Sequence, residues 1–410
     1  MVAEPRLDSG LLNQSRAPLK PSQRWYALRH VLLPRITYAL TLGRVGKGDL
    51  KRFDIKIRGA VGGWLNMPQH TLKEMFHAPV TAGGLGIWRL EHQVKVWQQD
   101  RLRRFVARRS DQGGQAPAKR WVRRQPSFKA DKKVINKKLM MGTNVVTNGR
   151  NVQVEDSKTL RKSADGRGLA HHGNTATETW WMTDRTITDH LSGKEFVSAN
   201  LLRQGLLPTP RRRCRLGVDV AVTRCPLCGE KGAPGIGHIL QRCKSVKRTR
   251  QCRHNRICQH LRECLEGAGY VVESEPRVDL RSGGCLRPDI IAYNTTLRTA
   301  VALDVAVCGT RESPEVATLR KTTKYSHAEV EEYALRQLTG GGPNPLFSSI
   351  GVAVNYRGAL SKSSERMLLG STNLGKQSIA WLPFLALKGG NKIYRDWSRK
   401  VRARTNRAAS

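Results

Sequence analysis

Apolar residues recur at helical spacing near the start of the chain. One set comprises Trp25, Leu28, Leu32 and Leu33, and a second comprises Leu50, Phe53, Ile57, Val61 and Trp64. Steps of three and four residues are typical of amphipathic helices, so the first set predicts a helix that ends near Pro34. The second set predicts a helix from about Asp49. Both precede a glycine-rich break at 83–86, and residues 1–98 are therefore expected to form a helical domain.

The second half of the chain mixes helical and strand-like patterns. Helices are expected over 188–206, 251–267 and 314–338, the last with Ser313 as its N-cap and Pro314 in its first turn. Apolar runs typical of strands occupy 290–293, 299–307 and 350–355, and alternation begins at Tyr270. The order strand, strand, helix, strand predicts a mixed α/β domain, and the whole chain is expected to be an α+β multidomain protein.

The two patterned regions are separated by a basic segment. Residues 101–140 contain fourteen Lys or Arg and only two acids, with Trp121 and Phe128 among them. Such a stripe suits phosphate contact with base stacking, and the alternative is a solvated, partly disordered linker. The expected domains are a helical domain at 1–98, a basic, partly flexible linker at 99–185, a helix with a cysteine cluster at 186–268, an α/β domain at 269–400, and a basic tail at 401–410.

Charge narrows the function classes. Lys and Arg number 72 against 32 Asp and Glu, which gives a formal net charge of +40 and favours nucleic acid as partner. No run approaches the eighteen apolar residues of a membrane helix, and residues 1–9 lack the apolar segment of a secretory signal. We expect no membrane partner and a reducing location, namely the nucleus. Nine unevenly spaced cysteines favour metal ligation over a disulfide framework.

Four residues have the spacing of a zinc knuckle: Cys225-x2-Cys228-x9-His238-x4-Cys243. A Cys-x2-Cys turn supplies two tetrahedral ligands and the His and Cys that follow supply two more, so the predicted Zn²⁺ is structural. The alternative is an ordinary core of reduced side chains. The residues Cys252, His254, Cys258, His260 and Cys264 lie close by, but their spacing fits a helix surface and core at least as well as a second metal site. His171 and His172 are expected to be solvated.

Two aspartates and two lysines suggest phosphodiester chemistry. Asp289 begins one apolar strand and Asp304 lies inside the next, where a charge is costly unless something binds it. Two carboxylates can hold a catalytic Mg²⁺. Lys321 and Lys324 share one face of the following helix beside Tyr325, and either could be the catalytic cation. Taken singly, each residue also fits an ordinary turn, a sheet edge or a solvated helix face.

The same residues carry a family resemblance. The segments 17–21, 287–289, 321–325 and 355–358, together with the knuckle and Asp304, resemble the C-terminal part of polyproteins from non-long-terminal-repeat retrotransposons that insert into ribosomal DNA. Residues 17–90 are similar to the thumb and adjoining linker, and residues 190–400 to the zinc knuckle and restriction-endonuclease-like domain. The resemblance implies a fragment, because no Tyr-x-Asp-Asp polymerase motif occurs and no DNA-binding fingers precede the thumb-like region. Polymerisation by this chain alone is not expected.

The resemblance implies an endonuclease that nicks double-stranded target DNA, so that the exposed 3′-hydroxyl primes reverse transcription of the element's RNA. It assigns catalysis to Asp289, Asp304, Lys321, Lys324 and Tyr325. The competing hypothesis is a catalytically silent nucleic-acid-binding module. The cationic residues expected to contact nucleic acid are Arg101, Arg103, Arg104, Arg108, Arg109, Lys119, Arg120, Arg123, Arg124, Arg211, Arg212, Arg213, Arg242, Lys244, Lys247, Arg248 and Arg250.

Overall fold

The computed structural model describes residues 3–43, 45–110, 147–172, 175, 177–218, 222–338 and 344–409. The predicted stacking residues Trp121 and Phe128, and the predicted phosphate contacts Lys119, Arg120, Arg123 and Arg124, lie outside these ranges. The chain divides into two compact units, Met1–Val80 with Gly84–Leu160, and Thr81–Gly83 with Arg161–Ser410. In the described ranges, no helix has both the length and the apolar character needed to span a membrane.

The first unit is helical. Its helices are α1 (Ala3–Arg16), α2 (Pro21–Ala27), α3 (Leu33–Leu42), α4 (Lys47–Trp64), α5 (Lys73–His77) and α6 (Leu90–Ser110), and α7 (Thr147–Lys162) follows the segment that is not described. The apolar residues predicted to face inward, including Trp25, Phe53 and Ile57, are buried. Asp54 accepts hydrogen bonds from the backbone N–H groups of Leu90 and Glu91, which fixes the start of α6 against α4.

The helix end predicted near Pro34 is wrong. A π-helical turn, Leu28–Leu32, leads directly into α3, and Pro34 lies in the first turn of α3. Proline is tolerated there because the first N–H groups of a helix have no intrahelical acceptor to lose. The second predicted helix is confirmed as α4.

The second unit contains the remaining helices. They are α8 (Trp180–Thr183), α9 (Arg185–Thr188), α10 (Gly193–Arg203), α11 (Pro210–Arg215), α12 (Lys247–Gly267), α13 (Pro314–Lys324), α14 (Ala328–Leu335), α15 (Lys362–Ser371) and α16 (Lys376–Ala409). The helix predicted over 188–206 is shorter, because the Ser192 hydroxyl caps α10 by accepting from the Glu195 N–H. Residues 401–409, expected to be a tail, continue α16. His172, expected to be solvated, is buried.

The single helix predicted over 314–338 is two helices, α13 and α14. The Ser313 cap is confirmed, since its hydroxyl accepts from the Glu315 N–H. The break follows Lys324, where Tyr325 turns inward and donates its hydroxyl hydrogen to the Arg287 carbonyl oxygen. His327 then adopts an extended conformation and starts α14. A buried tertiary hydrogen bond therefore outweighs the local helical pattern.

A four-stranded sheet lies at the centre of the second unit. Its strands are β1 (Val271–Ser274), β4 (Ile290–Asn294), β5 (Thr299–Cys308) and β6 (Leu346–Asn355), in the order β1-β4-β5-β6. β4 is antiparallel to β1 and β5, and β6 is parallel to β5. The short strands β2 (Val278–Asp279) and β3 (Cys285–Leu286) form a separate pair. The α+β class is confirmed, and β4 and β5 form an antiparallel hairpin.

Helices cover both faces of this sheet. On one face, Leu303 and Val305 of β5 pack in a core with Leu261 of α12 and Leu382 of α16. On the other face, alternate residues of β5 such as Ala302 pack with α14, and Cys308 packs with Ala317 of α13. Because strand residues alternate between faces, Asp304 lies on the side of α13 and α14.

Candidate active site and metal centre

The two predicted acids are neighbours across the β4–β5 hairpin. Ile290 pairs with Leu303, so the next position along the two strands sets Asp289 beside Asp304. Asp304 is only 4% exposed in its apolar strand. Burial raises the pKa of Asp304, and the negative charge of Asp289 adds to that rise despite the opposing effect of Lys321. The negative charge of Asp289 thus acts on Asp304, and a cation near both carboxylates would relieve their repulsion.

Lys321 of α13 forms an ion pair with Asp304 Oδ2. α13 can approach the sheet because residue 351 of β6, the parallel partner of Asp304, is glycine. A Cβ at Gly351 would clash with the Thr318 carbonyl oxygen and would lie 2.9 Å from Lys321 Cβ. Sequence reasoning missed Gly351, although a glycine inside an apolar strand often marks such a close backbone approach.

Lys324 contacts Tyr325, whose hydroxyl also interacts with Asp304. Lys324 Nζ lies 2.9 Å from the Tyr325 hydroxyl oxygen, and the hydroxyl donates to the Arg287 carbonyl oxygen at 2.8 Å. Burial raises the pKa of Tyr325, and the nearby carboxylates raise it further. Tyr325 is therefore a neutral phenol that ties α13 to the residue two positions before Asp289. The structure brings Lys321, and not Lys324, to the carboxylate of Asp304.

His254 of α12 also joins this group, although sequence reasoning assigned it no nuclease role. Its Nε2 lies 3.1 Å from Asp289 Oδ1, and the Val305 N–H donates to Asp289 Oδ2 at 2.6 Å. The hydrogen bond to Asp289 raises the pKa of His254 above its ordinary value. Burial acts to raise the pKa of Asp289, but the hydrogen bonds and charge of its partners lower it below the usual range. Each acid thus has its own basic partner from a different helix.

The predicted knuckle residues converge. One donor atom from each of Cys225, Cys228, His238 and Cys243 lies within 4.8 Å of all the others. The turn is closed by the Gly229 N–H, which donates to the Cys225 carbonyl oxygen, with Gly229 at a φ of 75° that favours glycine. A π-helical turn, His238–Arg242, brings Cys243 back, and its N–H donates to the His238 carbonyl oxygen. The cluster is able to hold a metal ion.

A carboxylate outside the cluster orients its histidine. Glu230 Oε2 lies 3.0 Å from His238 Nδ1, which leaves Nε2 facing Cys228 Sγ at 3.5 Å. Arg242 in turn lies 3.2 Å from Glu230. Carboxylates commonly fix the tautomer of a metal-ligating histidine in this way. Glu230 was not predicted, because its contact depends on how the knuckle folds back on itself.

The thiols of the cluster differ in their environment. Burial acts to raise the pKa of Cys225, but backbone N–H groups of Cys228 and Leu227 and contacts with its cluster neighbours lower it to about 7. Burial raises the pKa of Cys243 to about 12. Cys225 is therefore the thiolate that forms most readily near neutral pH, and a metal ion would have to displace the proton of Cys243.

The other cysteines and histidines of α12 separate into two groups. His254 and Cys258 join Asp289 in a three-donor cluster. His260 instead lies 2.8 Å from the Ser378 carbonyl oxygen, with Cys264 beside it, and Cys252 is exposed. The interpretation of these residues as a helix surface and core fits the second group.

The predicted phosphate contacts are only partly exposed. Arg101, Arg104, Arg211, Arg213, Arg242, Lys244, Lys247 and Arg248 are exposed, and Arg103, Arg108 and Arg109 lie on α6. Arg250 is half-buried and donates to the Cys243 carbonyl oxygen. Arg212 corrects the prediction, because it is buried and makes two hydrogen bonds of 3.2 Å to Asp165. Its two hydrogen bonds tie α11 to Asp165.

Comparison with known proteins gives one consistent group. The chain is 28% identical over 393 residues to the retrovirus-related Pol polyprotein from the type-2 retrotransposable element R2DM of Drosophila melanogaster. It is 28% identical over 403 residues to that of a type-1 retrotransposable element R2 of Popillia japonica, and 27% identical over 378 residues to that of Bradysia coprophila. A scan against models of protein families gives no match.

These alignments cover 93%, 95% and 91% of this chain but 34%, 51% and 41% of the three relatives. The chain therefore spans about a third to a half of the length of the curated relatives it matches. The resemblance predicted from the residues is confirmed: the chain is homologous to the Pol polyproteins of R2-type non-LTR retrotransposons and corresponds to a part of such a polyprotein.

Proposed function

We propose that the second unit is a metal-dependent DNA endonuclease with a restriction-endonuclease-like fold, which nicks target DNA to prime reverse transcription of the element's RNA. The observation that supports this most is the buried Asp304, which lies beside Asp289 and pairs with Lys321. A buried carboxylate in an apolar strand destabilises the fold unless it has a function or a partner. Here its partner is a lysine from another element, a cation of the kind that can stabilise charge developing on a phosphate.

The two carboxylates supply oxygen donors of the kind that Mg²⁺ prefers. Their fit to a divalent cation is supported by the raised pKa of Asp304, to which the charge of Asp289 contributes. When bound, the ion neutralises charge that develops on the phosphate and makes a coordinated water more nucleophilic near neutral pH. His254 and the Val305 N–H hold Asp289 in place.

Lys321 supplies a positive charge next to the acids, where it can stabilise the phosphate or orient water. Its side chain is 25% exposed, so part of it faces solvent beside the buried Asp304. Tyr325 and Lys324 fix the end of α13 through the bond to Arg287. Their part in the proposed reaction is therefore to hold Lys321 in position.

The knuckle is proposed to bind structural Zn²⁺. Its donors are three thiols and an imidazole, and four protein ligands leave no position for water. The 3.5 Å separation of Cys228 Sγ and His238 Nε2 agrees with the roughly 3.5 Å expected for sulfur and nitrogen ligands at tetrahedral angles around zinc. The first unit is proposed to be the thumb-like segment of the polyprotein.

A basic cleft next to the knuckle supports a nucleic-acid partner. It has a volume of about 400 Å³, and its lining includes Arg167, Arg211, Arg215, Arg242 and Arg311. Phosphate groups of double-stranded DNA or of the element's RNA suit such a lining. Because the proposed DNA target is chromosomal, we place the protein in the nucleus.

The proposal is tested by nicking of supercoiled plasmid that contains ribosomal DNA, with Mg²⁺ and with chelator. We expect nicking that needs Mg²⁺ and that falls by about 10²-fold or more in Asp304→Asn and Asp289→Asn. Asp279→Asn is the matched control, because Asp279 is an exposed strand carboxylate paired with Arg277. Its rate should be unchanged.

Two outcomes would overturn the proposal. Retained nicking in Asp304→Asn would show that the cleavage does not use this site. Plasmid binding without nicking, by protein that is zinc-loaded and folded, would favour the catalytically silent nucleic-acid-binding module.

A further inference from the structure

A second cluster of metal-binding donors lies on α12, apart from the knuckle. His254, Cys258 and Asp289 each place one donor atom within 4.8 Å of the other two. His254 and Cys258 are one helical turn apart, and Asp289 approaches them from the start of β4. We propose that these three residues form a site for a borderline divalent transition metal such as Zn²⁺, which shares Asp289 with the nuclease site.

The distances fit such an ion. Ligands at zinc-like bond lengths and tetrahedral angles are separated by about 3.3 Å for nitrogen and oxygen and about 3.5 Å for nitrogen and sulfur. His254 Nε2 lies 3.1 Å from Asp289 Oδ1 and 3.5 Å from Cys258 Sγ. Two of the three donor pairs therefore already have the spacing expected of ligands to one ion, and the third pair lies within 4.8 Å.

The same helix contains an internal comparison. His260 and Cys264 repeat the His-x3-Cys spacing two turns later, with Cys264 Sγ 3.6 Å from His260 Nε2. That Nε2, however, lies 2.8 Å from the Ser378 carbonyl oxygen, and the pair is in none of the three-donor groups found among the described residues. The His-x3-Cys spacing alone therefore does not make a metal site. The carboxylate of Asp289 is what completes it.

The donor set decides the class of metal. A thiolate and an imidazole favour Zn²⁺, Co²⁺ or similar ions, whereas Mg²⁺ prefers oxygen donors. Three protein ligands leave a fourth position for water. The side chains of His254 and Asp289 are 25% and 14% exposed, so an ion can reach them from solvent.

The shared carboxylate has a consequence that rests on the proposed nuclease function. A transition metal bound to Asp289 Oδ1 would occupy one of its carboxylate oxygens and neutralise part of its negative charge, which would weaken Mg²⁺ binding beside Asp304. Zn²⁺ bound to His254 and Cys258 should therefore inhibit Mg²⁺-dependent nicking. A transition metal at His254 and Cys258 would therefore inhibit the Mg²⁺-dependent site at Asp289 and Asp304.

Binding is tested with Co²⁺ on the full chain whose knuckle is already loaded with Zn²⁺. A thiolate bound to Co²⁺ gives a charge-transfer absorption band that carboxylate and imidazole ligands do not give. We expect the band to grow with added Co²⁺ in the wild type and in Cys264→Ser, the matched control. It should be lost in Cys258→Ser and, independently, in His254→Gln, with the thermal transition of each variant recorded to establish folding.

Absence of the band in the wild type, or its persistence in Cys258→Ser, would overturn the site. Loss of the band in Cys264→Ser as well would also overturn it, because that thiol is outside the cluster. The band does not depend on nicking, so an inactive chain would refute the proposed function and leave this result interpretable.

Inhibition is tested separately by Zn²⁺ titration of Mg²⁺-driven nicking, with each variant scaled to its own rate without added Zn²⁺. Loss of a ligand should raise the Zn²⁺ concentration for half-inhibition by at least about tenfold in Cys258→Ser. Cys264→Ser should match the wild type. Equal inhibition of the wild type, Cys258→Ser and Cys264→Ser would refute the proposed inhibition by Zn²⁺ at this site.

Discussion

Buried or half-buried acids in the second unit are paired with basic side chains. Asp304 is paired with Lys321, and Asp289 with His254. The two basic partners come from α13 and α12, which pack on opposite faces of the sheet. Loss of one partner leaves a buried carboxylate uncompensated, which typically costs about 3–5 kcal/mol. The same pairs that stabilise the sheet thus form the proposed reaction centre.

The two lysines of α13 should behave differently. Lys321→Met removes the ammonium next to Asp304, and we expect nicking to fall by about 10²-fold. Lys324→Met removes a contact to the Tyr325 hydroxyl and should cost less. The two rates are measured on the same plasmid under saturating Mg²⁺. A larger loss in Lys324→Met would mean that Lys324 is the catalytic cation.

Elements meet closely where small residues permit it. α13 lies against β6 at Gly351, and the Gly351 N–H donates to the Thr322 hydroxyl at 2.9 Å. The Ser349 hydroxyl donates to the Thr322 carbonyl oxygen nearby. These bonds fix the rotation of α13, and that rotation decides which of its lysines faces Asp304.

Gly351→Ala should therefore weaken nicking from a position that contacts no substrate. The added methyl group clashes with the Thr318 carbonyl oxygen, and α13 must move away from Asp304. Misplacement by about 1 Å can cost 10²-fold in rate. Gly370→Ala is the control, because Gly370 lies in α15 with open space around its Cα. Equal rates for both variants would show that the close approach is not needed.

The knuckle is an element whose folding should depend on its metal. Cys228→Ser removes one of four ligands, and we expect the zinc content to fall and the 225–243 segment to loosen, because metal binding and folding are coupled in such modules. Zinc content and proteolysis within this segment provide the measurement. Cys214→Ser is the control, since Cys214 is outside the cluster. A full zinc content in Cys228→Ser would contradict the ligand set.

At the scale of the whole molecule, charge dominates. A formal net charge of +40 produces a field that attracts polyanions without reading their sequence. The basic cleft at the knuckle and the exposed cations of α12 belong to the second unit. We therefore expect binding and cleavage to depend on different residues and to be separable.

DNA affinity should fall steeply with salt while remaining independent of the acidic site. Proteins that neutralise six to ten phosphates lose about 10³–10⁵-fold in affinity between 50 and 200 mM salt. We expect a steep salt dependence, and Asp304→Asn should bind within a few fold of the wild type at each concentration. Filter binding across a salt series measures both. A flat salt dependence would contradict an interface dominated by phosphate contacts.

The sequence by itself determined the features that depend on short spacing. Cys225 to Cys243 fall within one short segment, the β4–β5 hairpin connects neighbouring strands, and the cost of Asp304 in an apolar strand is visible without any structure. Periodicity likewise predicted α4 and the sequence of strands and helices along the second unit, because each element forms from its own pattern of apolar residues. It misplaced ends at Pro34 and Tyr325, where contacts with other elements decide.

Only the tertiary structure decided which groups meet. The choice of Lys321 over Lys324 depends on the packing of α13 at Gly351, and His254 reaches Asp289 from a helix 35 residues earlier in the chain. Arg212 looks like its exposed neighbours in the sequence but is buried against Asp165, 47 residues away. Local patterns specify which face of an element is apolar. They do not specify which distant side chain that face will contact, because this depends on how the helices pack on the sheet.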